Sequence, residues 1–381
     1  MSARRIALVA DEASVHTAVW RSGLTARGHE VRLWSCRRPA VASGGAPALG
    51  VTAAPIPAAG MRRPSRELRT ITRALRLAPR FRREVRGFDP DLVLALRFQP
   101  EAYLAWLGGI GPLAVVSWGQ DVLRFSVGHP FHRFFSRRVI ADSARVWGET
   151  TSVLQGLCDL GADPEKIGLA YTGVDLQFWQ RPAEIEAQLA SLAEQDAGWA
   201  RLLHHRAAGG LSLLSPRAID RSGHQAELLA AVAERPDLQF VLVGPGDAYE
   251  RSRLHAFAVR NGMEGRFVDL GMRSAHELRL LYWIADLVAS LWMPDGLSQT
   301  MLEAMAAGAK LLVADLPGNR DWIENDAAGA RVDPSDVGAI GRAIDRLIRS
   351  DGGTLHATRV AERADRRIAL TRWVDEVERL W

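Results

Sequence analysis

The stretch Pro294-Asp295-Gly296-Leu297-Ser298-Gln299-Thr300-Met301-Leu302-Glu303-Ala304-Met305-Ala306-Ala307-Gly308 carries more chemistry than any other part of the sequence. Gly296 permits a tight loop after an apolar run, Leu287 to Leu291, and Gly308 ends a helix that starts near Ser298. The first amides of a helix have no intrahelical partner, so the terminus at Gly296, Leu297 and Ser298 suits a phosphate. Asp295 stands in the loop before that terminus, and Glu303 lies about 7.5 Å along the helix at ~1.5 Å per residue. One carboxylate on each side of an anion site can hold a sugar on one side of a diphosphate and a ribose on the other. Taken alone, the same two residues also fit a helix cap and an ordinary surface acid.

Positioning these groups requires strands that end at one edge. Ile6 to Ala10 is a compact apolar run, followed by a helical stretch that Gly28 closes, and then by Val31 to Trp34. Strand, helix and strand in about thirty residues form a βαβ unit, which predicts a parallel sheet covered on both faces. Leu92 to Leu96, Leu113 to Val116, Arg145 to Trp147 and Lys166 to Tyr171 continue the pattern. A polar, helical stretch from about Gln180 to Arg206 follows. The alternation then restarts with Leu211 to Ser215, Phe240 to Val243, Arg266 to Leu270, Leu287 to Leu291 and Leu311 to Ala314.

The reading is therefore α/β, with two Rossmann-like domains and a cleft between them. Residues 1–178 form the N-terminal domain, 179–207 a helical linker and 208–355 the C-terminal domain. Residues 356–381 form an amphipathic helix that packs back on the body. Open parallel sheets bind ligands beyond the carboxyl ends of their strands.

The 381 residues exceed one ordinary core, and 48% hydrophobic with 24% charged residues excludes disordered and fibrous classes. The net charge of +4 is too small to argue for nucleic acid. Cys36 and Cys158 make no disulfide framework and lack metal-site spacing, as expected of a reducing, cytoplasmic compartment without a structural metal. Met1 to Ile6 runs into a strand with no cleavage site, and the uncharged stretch Tyr103 to Trp118 is broken by Gly108-Gly109-Ile110-Gly111-Pro112.

The Asp295-to-Glu303 stretch resembles the E-x7-E signature of the retaining family 4 glycosyltransferases, which have the two-domain GT-B fold. Leu302 to Gly308 is similar to its second half almost letter for letter, with Asp295 where the family usually has Glu. Leu24 to Val31, Gly161 to Ile167, Tyr171 to Asp175, Leu242-Val243-Gly244-Pro245-Gly246 and Asp315 to Arg320 resemble further family segments in the right order. The resemblance implies transfer of a hexosyl-type sugar from a UDP- or GDP-sugar to an acceptor hydroxyl, with no essential metal and no other cofactor. The setting would be glycan, lipid-linked saccharide or natural-product glycoside biosynthesis.

It also assigns roles. Arg217 is similar to the arginine that holds the donor diphosphate, and its fork of donors suits two phosphate oxygens. Ser222 stands where a lysine is usual, so Arg221 or His224 would supply the second charge, or the site would do with one cation. Gly244 and the loop Gly271-Met272-Arg273 fall on the donor side. Glu303 would hold the ribose and Asp295 the sugar hydroxyls. Ser117-Trp118-Gly119-Gln120-Asp121 resembles a His-Gly-x-Asp loop with Trp118 in the His place, and Asp121 would touch acceptor or sugar. The loop Asp11 to His16 has no glycine, so Ser14, His16 or Thr17 would take up its contacts.

Ten arginines lie between Arg62 and Arg86. Arg62, Arg66, Arg69, Arg73, Arg76 and Arg80 step by three or four beside Leu68, Ile71, Leu75 and Ala78, a basic amphipathic helix suited to an anionic membrane surface or an anionic acceptor. The protein is thus expected to be cytoplasmic, or peripheral at the inner membrane face. Two rival readings stand beside transfer. One is a nucleotide-sugar-binding subunit without turnover, and the other is a different GT-B chemistry such as epimerisation.

Overall fold

The computed structural model describes residues 2–36, 66–182, 184–351 and 355–381. These fall into two compact units, the described residues of Met1–Thr172 with Ile368–Trp381 and those of Gly173–Arg367.

The first unit holds a six-stranded, all-parallel sheet in the order β2-β1-β3-β4-β5-β6. Its strands are β1 (Arg5–Val9), β2 (Glu30–Trp34), β3 (Leu92–Leu96), β4 (Leu113–Val116), β5 (Ser143–Gly148) and β6 (Ile167–Leu169). Strand residues alternate between faces. Ala7, Val9, Val93 and Ala95 pack with Ile71, Phe81 and Val85 of the helix Arg66–Phe88. Ile6, Leu8, Leu92 and Leu94 pack on the other face with Trp20 and Leu24 of the helix Val15–Ala26. Burial on both faces is why β1 and β3 read as unbroken apolar runs.

The C-terminal segment is two helices, Leu355–Ala364 and Arg366–Glu378. Residues Ile368–Trp381 belong to the first unit, where Trp373 lies against Trp20 with ring centroids 4.0 Å apart. Glu376 accepts from Trp147 Nε1 at 2.7 Å, and the buried Glu378 accepts from His29 Nε2 at 3.2 Å.

The second unit repeats the architecture with the order β12-β11-β10-β7-β8-β9, again all parallel. Its strands are β7 (Leu211–Ser215), β8 (Leu238–Val243), β9 (Phe267–Gly271), β10 (Leu287–Ser290), β11 (Leu311–Ala314) and β12 (Gly329–Val332). The segment expected to be a linker is part of this unit: Trp199 of the helix Ala197–Ala207 is wholly buried, and Asp196 pairs with Arg273 at 2.6 Å. A Cβ on Gly198 would lie 2.7 Å from Leu270, so the helix rests directly on β9.

Both sheets reverse direction once. In the first, the chain builds β1 and β2 outward and then returns to place β3 on the other side of β1. In the second it builds β7, β8 and β9, then places β10 on the other side of β7. Loops that leave neighbouring strands at such a reversal diverge and open a crevice at the carboxyl ends. The crevice sites are thus the ends of β1 and β3, and of β7 and β10.

Candidate functional site

In the second unit the β7 and β10 loops carry the predicted groups. Arg217, two residues beyond β7, directs its guanidinium at the β10 loop. Nη2 lies 2.9 Å from Asp295 Oδ2, and Nη1 donates to the Ser298 hydroxyl. Its guanidinium carbon lies over the Trp292 ring, 5.1 Å from the centroid. Asp295 accepts a further hydrogen bond from the Gly296 amide at 3.0 Å. Burial raises the Asp295 carboxyl above its usual range, and the Arg217 charge works against that rise. Ser298 caps the helix Gln299–Ala306 by accepting from the Met301 amide at 3.3 Å. Gly296 lies outside the left-handed backbone region, so the loop turns without needing glycine's freedom there; Leu297 follows it in the loop.

Gly244 explains why Arg217 sits where it does. Its φ is +133°, and an added Cβ would stand 2.8 Å from the Arg217 carbonyl oxygen. The two loops touch through backbone: Ile219 donates to the Pro245 carbonyl at 2.8 Å, and Asp247 to the Ile219 carbonyl at 2.9 Å. Gly271, at φ +67°, accepts from the Gly244 amide at 2.9 Å and donates to Asp269 at 3.0 Å. These two glycines thus build the floor that supports Arg217.

Glu303 lies on the inward side of the helix. The Tyr282 hydroxyl and the Gln299 side chain donate to it, and the Arg366 charge is close by. Burial outweighs all three and raises its carboxyl to about 7. Gln299 also donates to the Gly173 carbonyl at 3.2 Å.

Arg221 does not join this group. It is 79% exposed and pairs with Glu250 at 2.9 Å. With His224 and Tyr249 it lines a cavity of about 470 Å³ that does not include Arg217. Of the alternatives for a second cation, Arg221 is here held by Glu250 rather than beside Arg217. Ser222 contributes backbone, its carbonyl accepting from the Met293 amide at 2.8 Å and so tying the β7 loop to the β10 loop.

In the first unit, Asp121 is 3% exposed and its Oδ2 accepts from the Phe98 amide at 2.9 Å and the Trp118 amide at 3.3 Å. Burial raises this carboxyl too, against the Arg97 charge and the two amides. Asp121, expected as an acceptor or sugar contact, is buried here and braces the β3 and β4 loops. Arg97, at φ +89°, lays its guanidinium 5.1 Å from the Trp118 ring centroid. His16 meets the same ring edge-on at 4.6 Å and bonds Thr172 Oγ1 at 3.1 Å. Thr17 is buried and donates to the Asp11 carbonyl at 2.7 Å, while Ser14 precedes its helix without capping it.

Sequence reasoning missed Trp292, Tyr282, Arg366 and Arg97. The position of Arg97, immediately after β3 at the sheet reversal, was the available signal. Tyr282 and Arg366 reach Glu303 from other elements, and no spacing announces them.

Two units, each built on an all-parallel six-stranded sheet that reverses once, have the GT-B fold of two-domain α/β proteins. Sucrose-phosphate synthase of Thermosynechococcus elongatus superposes with a TM-score of 0.79 at 16% identity, over 99% of each chain. HepE of Anabaena, solved with UDP and glucose, gives 0.71 at 14% identity, over 99% of this chain and 100% of that one. Residues 211–367 match the family described as Glycosyl transferases group 1, and residues 13–178 match Glycosyltransferase Family 4. The chain belongs to this glycosyltransferase family. The D-inositol 3-phosphate glycosyltransferase of Mycobacterium tuberculosis is 27% identical over 247 residues, 64% of this chain and 48% of that protein. The chain spans about half the length of the curated relatives it matches.

Proposed function

We propose that this glycosyltransferase moves a hexosyl-type sugar from a UDP- or GDP-sugar to an acceptor hydroxyl, with retention of configuration. The observation that carries the reading is the convergence of Arg217, Asp295 and Ser298 at the β7/β10 reversal, with Glu303 following on the same helix. Arg217 and the helix terminus would neutralise charge on the leaving diphosphate, the group where charge develops in the transition state. Glu303 would accept from the ribose hydroxyls and Asp295 from the sugar. The structural neighbour solved with UDP and glucose supports the donor class. Asp121 would act on the acceptor through the loops it braces.

The test is calorimetric titration with UDP, GDP, ADP and dTDP, repeated with Glu303→Ala. One nucleotide that binds tightly and is weakened by the variant supports the donor site. Failure of all four to bind would overturn it. One observation favours a second reading, a binding subunit without turnover: Ser222 and the outward-turned Arg221 leave Arg217 as the one cation hydrogen-bonded within this knot among the described residues. Donor binding without transfer or hydrolysis across acceptors would select that reading.

A further inference from the structure

We infer that the outward face of the helix Pro130–Asp142 in the first unit is a docking surface for an anionic lipid bilayer. This helix turns His132, Ser136, Val139 and Ile140 inward. At 100° per residue the opposite side centres on Phe134, with Arg138 beside it, Phe131 and Arg137 flanking it at equal angles and Arg133 at the margin. Phe131 and Phe134 are 55% and 52% exposed, and Val127, just before the helix, is 62% exposed. Two phenyl rings held in water on one face are costly unless something apolar receives them.

The charge around them names the partner. The sequence from Val122 to Ala141 contains no Asp or Glu. Among the described residues none of Arg124, Arg133, Arg137 and Arg138 pairs with a carboxylate; Arg138 lies over the Phe134 ring at 5.6 Å. Asp142, at the helix end, is engaged by Trp106 Nε1 at 2.6 Å. Aromatic rings ringed by arginines suit a headgroup layer, where rings enter the acyl boundary and cations meet lipid phosphates. A second copy of the chain docked through the same face would set these cations against themselves.

The helix Arg66–Phe88, expected to be the basic membrane face, is less suited. Arg62 lies outside the described residues, Arg73 donates to the Cys36 carbonyl, and Arg80 pairs with Glu84 at 2.7 Å. Ile71 and Ala78 are buried in the core, and Leu75 alone among its described large apolar side chains is exposed.

The experiment is co-sedimentation of the full chain with phosphatidylcholine vesicles, with and without phosphatidylglycerol. The chain should pellet with the anionic vesicles only, and added salt should release it. Phe131→Ser/Phe134→Ser should lower the bound fraction about tenfold or more, as should Arg133→Gln/Arg137→Gln/Arg138→Gln, with unfolding temperatures unchanged. Arg76→Gln/Arg83→Gln should stay within about twofold of the parent. The proposal is overturned by a parent chain that ignores anionic vesicles, or by helix-face variants that fold and bind like it. A Phe134-dependent dimer, or an oligonucleotide bound through this face in preference to vesicles, would overturn it equally.

Discussion

Arg217 is bound to Asp295 at 2.9 Å, so the cation and the carboxylate expected to hold different parts of one donor hold each other. The pair is half-buried, where a charge-assisted hydrogen bond is stronger than on an open surface. A diphosphate that reaches Arg217 must share it with this carboxylate.

That competition gives Asp295→Ala a divided phenotype. Transfer should fall by more than tenfold, because a hydrogen bond to a charged group is worth roughly 1.5 to 3 kcal/mol. Affinity for the free nucleoside diphosphate should hold or rise, since Arg217 is released. In a cycle with Arg217→Ala the two losses of transfer should be less than additive, as for residues in direct contact. Steady-state kinetics beside calorimetry separates the effects, and parent-like turnover in Asp295→Ala would remove it from the site.

Glu303 should make donor binding depend on pH. Its carboxyl titrates at about 7, and the charged form is the better acceptor for ribose hydroxyls. Nucleotide affinity should therefore climb as pH passes upward through 7 and be flat in Glu303→Gln. Tyr282→Phe removes a donor that favours the carboxylate and should move the midpoint higher. Stability runs the other way. The folded value lies above the ordinary 4.5, so the contribution is complete below that value and is lost as pH rises through about 7. Calorimetry and thermal melts across this window check both signs.

Gly244→Ala should weaken the fold and the site together. The residue lies at φ +133° with no room toward the Arg217 carbonyl. Backbone strain of this kind costs about 1–3 kcal/mol, and relief of the contact must displace Arg217. Thermal unfolding should drop by several degrees and nucleotide affinity should fall with it. An affinity that survives such a destabilised variant would show that Arg217 is positioned by something else.

How much of this was legible follows from where each signal lives. Eleven of the strands were readable, the inner ones as apolar runs because parallel strands buried on both faces have no polar alternation to disguise them. β12 was missed: Gly329-Ala330-Arg331-Val332 is a short edge strand with one β-branched residue. Asp295, Ser298 and Glu303 were readable because they share one loop and one helix. Their partners were not, since Arg217 meets Asp295 across 78 residues and Tyr282 meets Glu303 from another helix. The direction of Arg221 was likewise invisible, decided by a Glu250 that no local pattern ties to it. The break at Asp365 hid inside a continuous amphipathic pattern, where Asp365 bridges to Val174.

The position of Trp373 has a consequence for how the protein is made. The ribosome releases the first sheet with Trp20 and Trp147 early, but the side chains that cover them lie in the last fourteen residues. Nascent chains lack that cover until the whole second unit has been synthesised. Folding from the N-terminus onward, the usual order for multidomain chains, is therefore inverted in its final step. The first unit is completed by a segment made after the second.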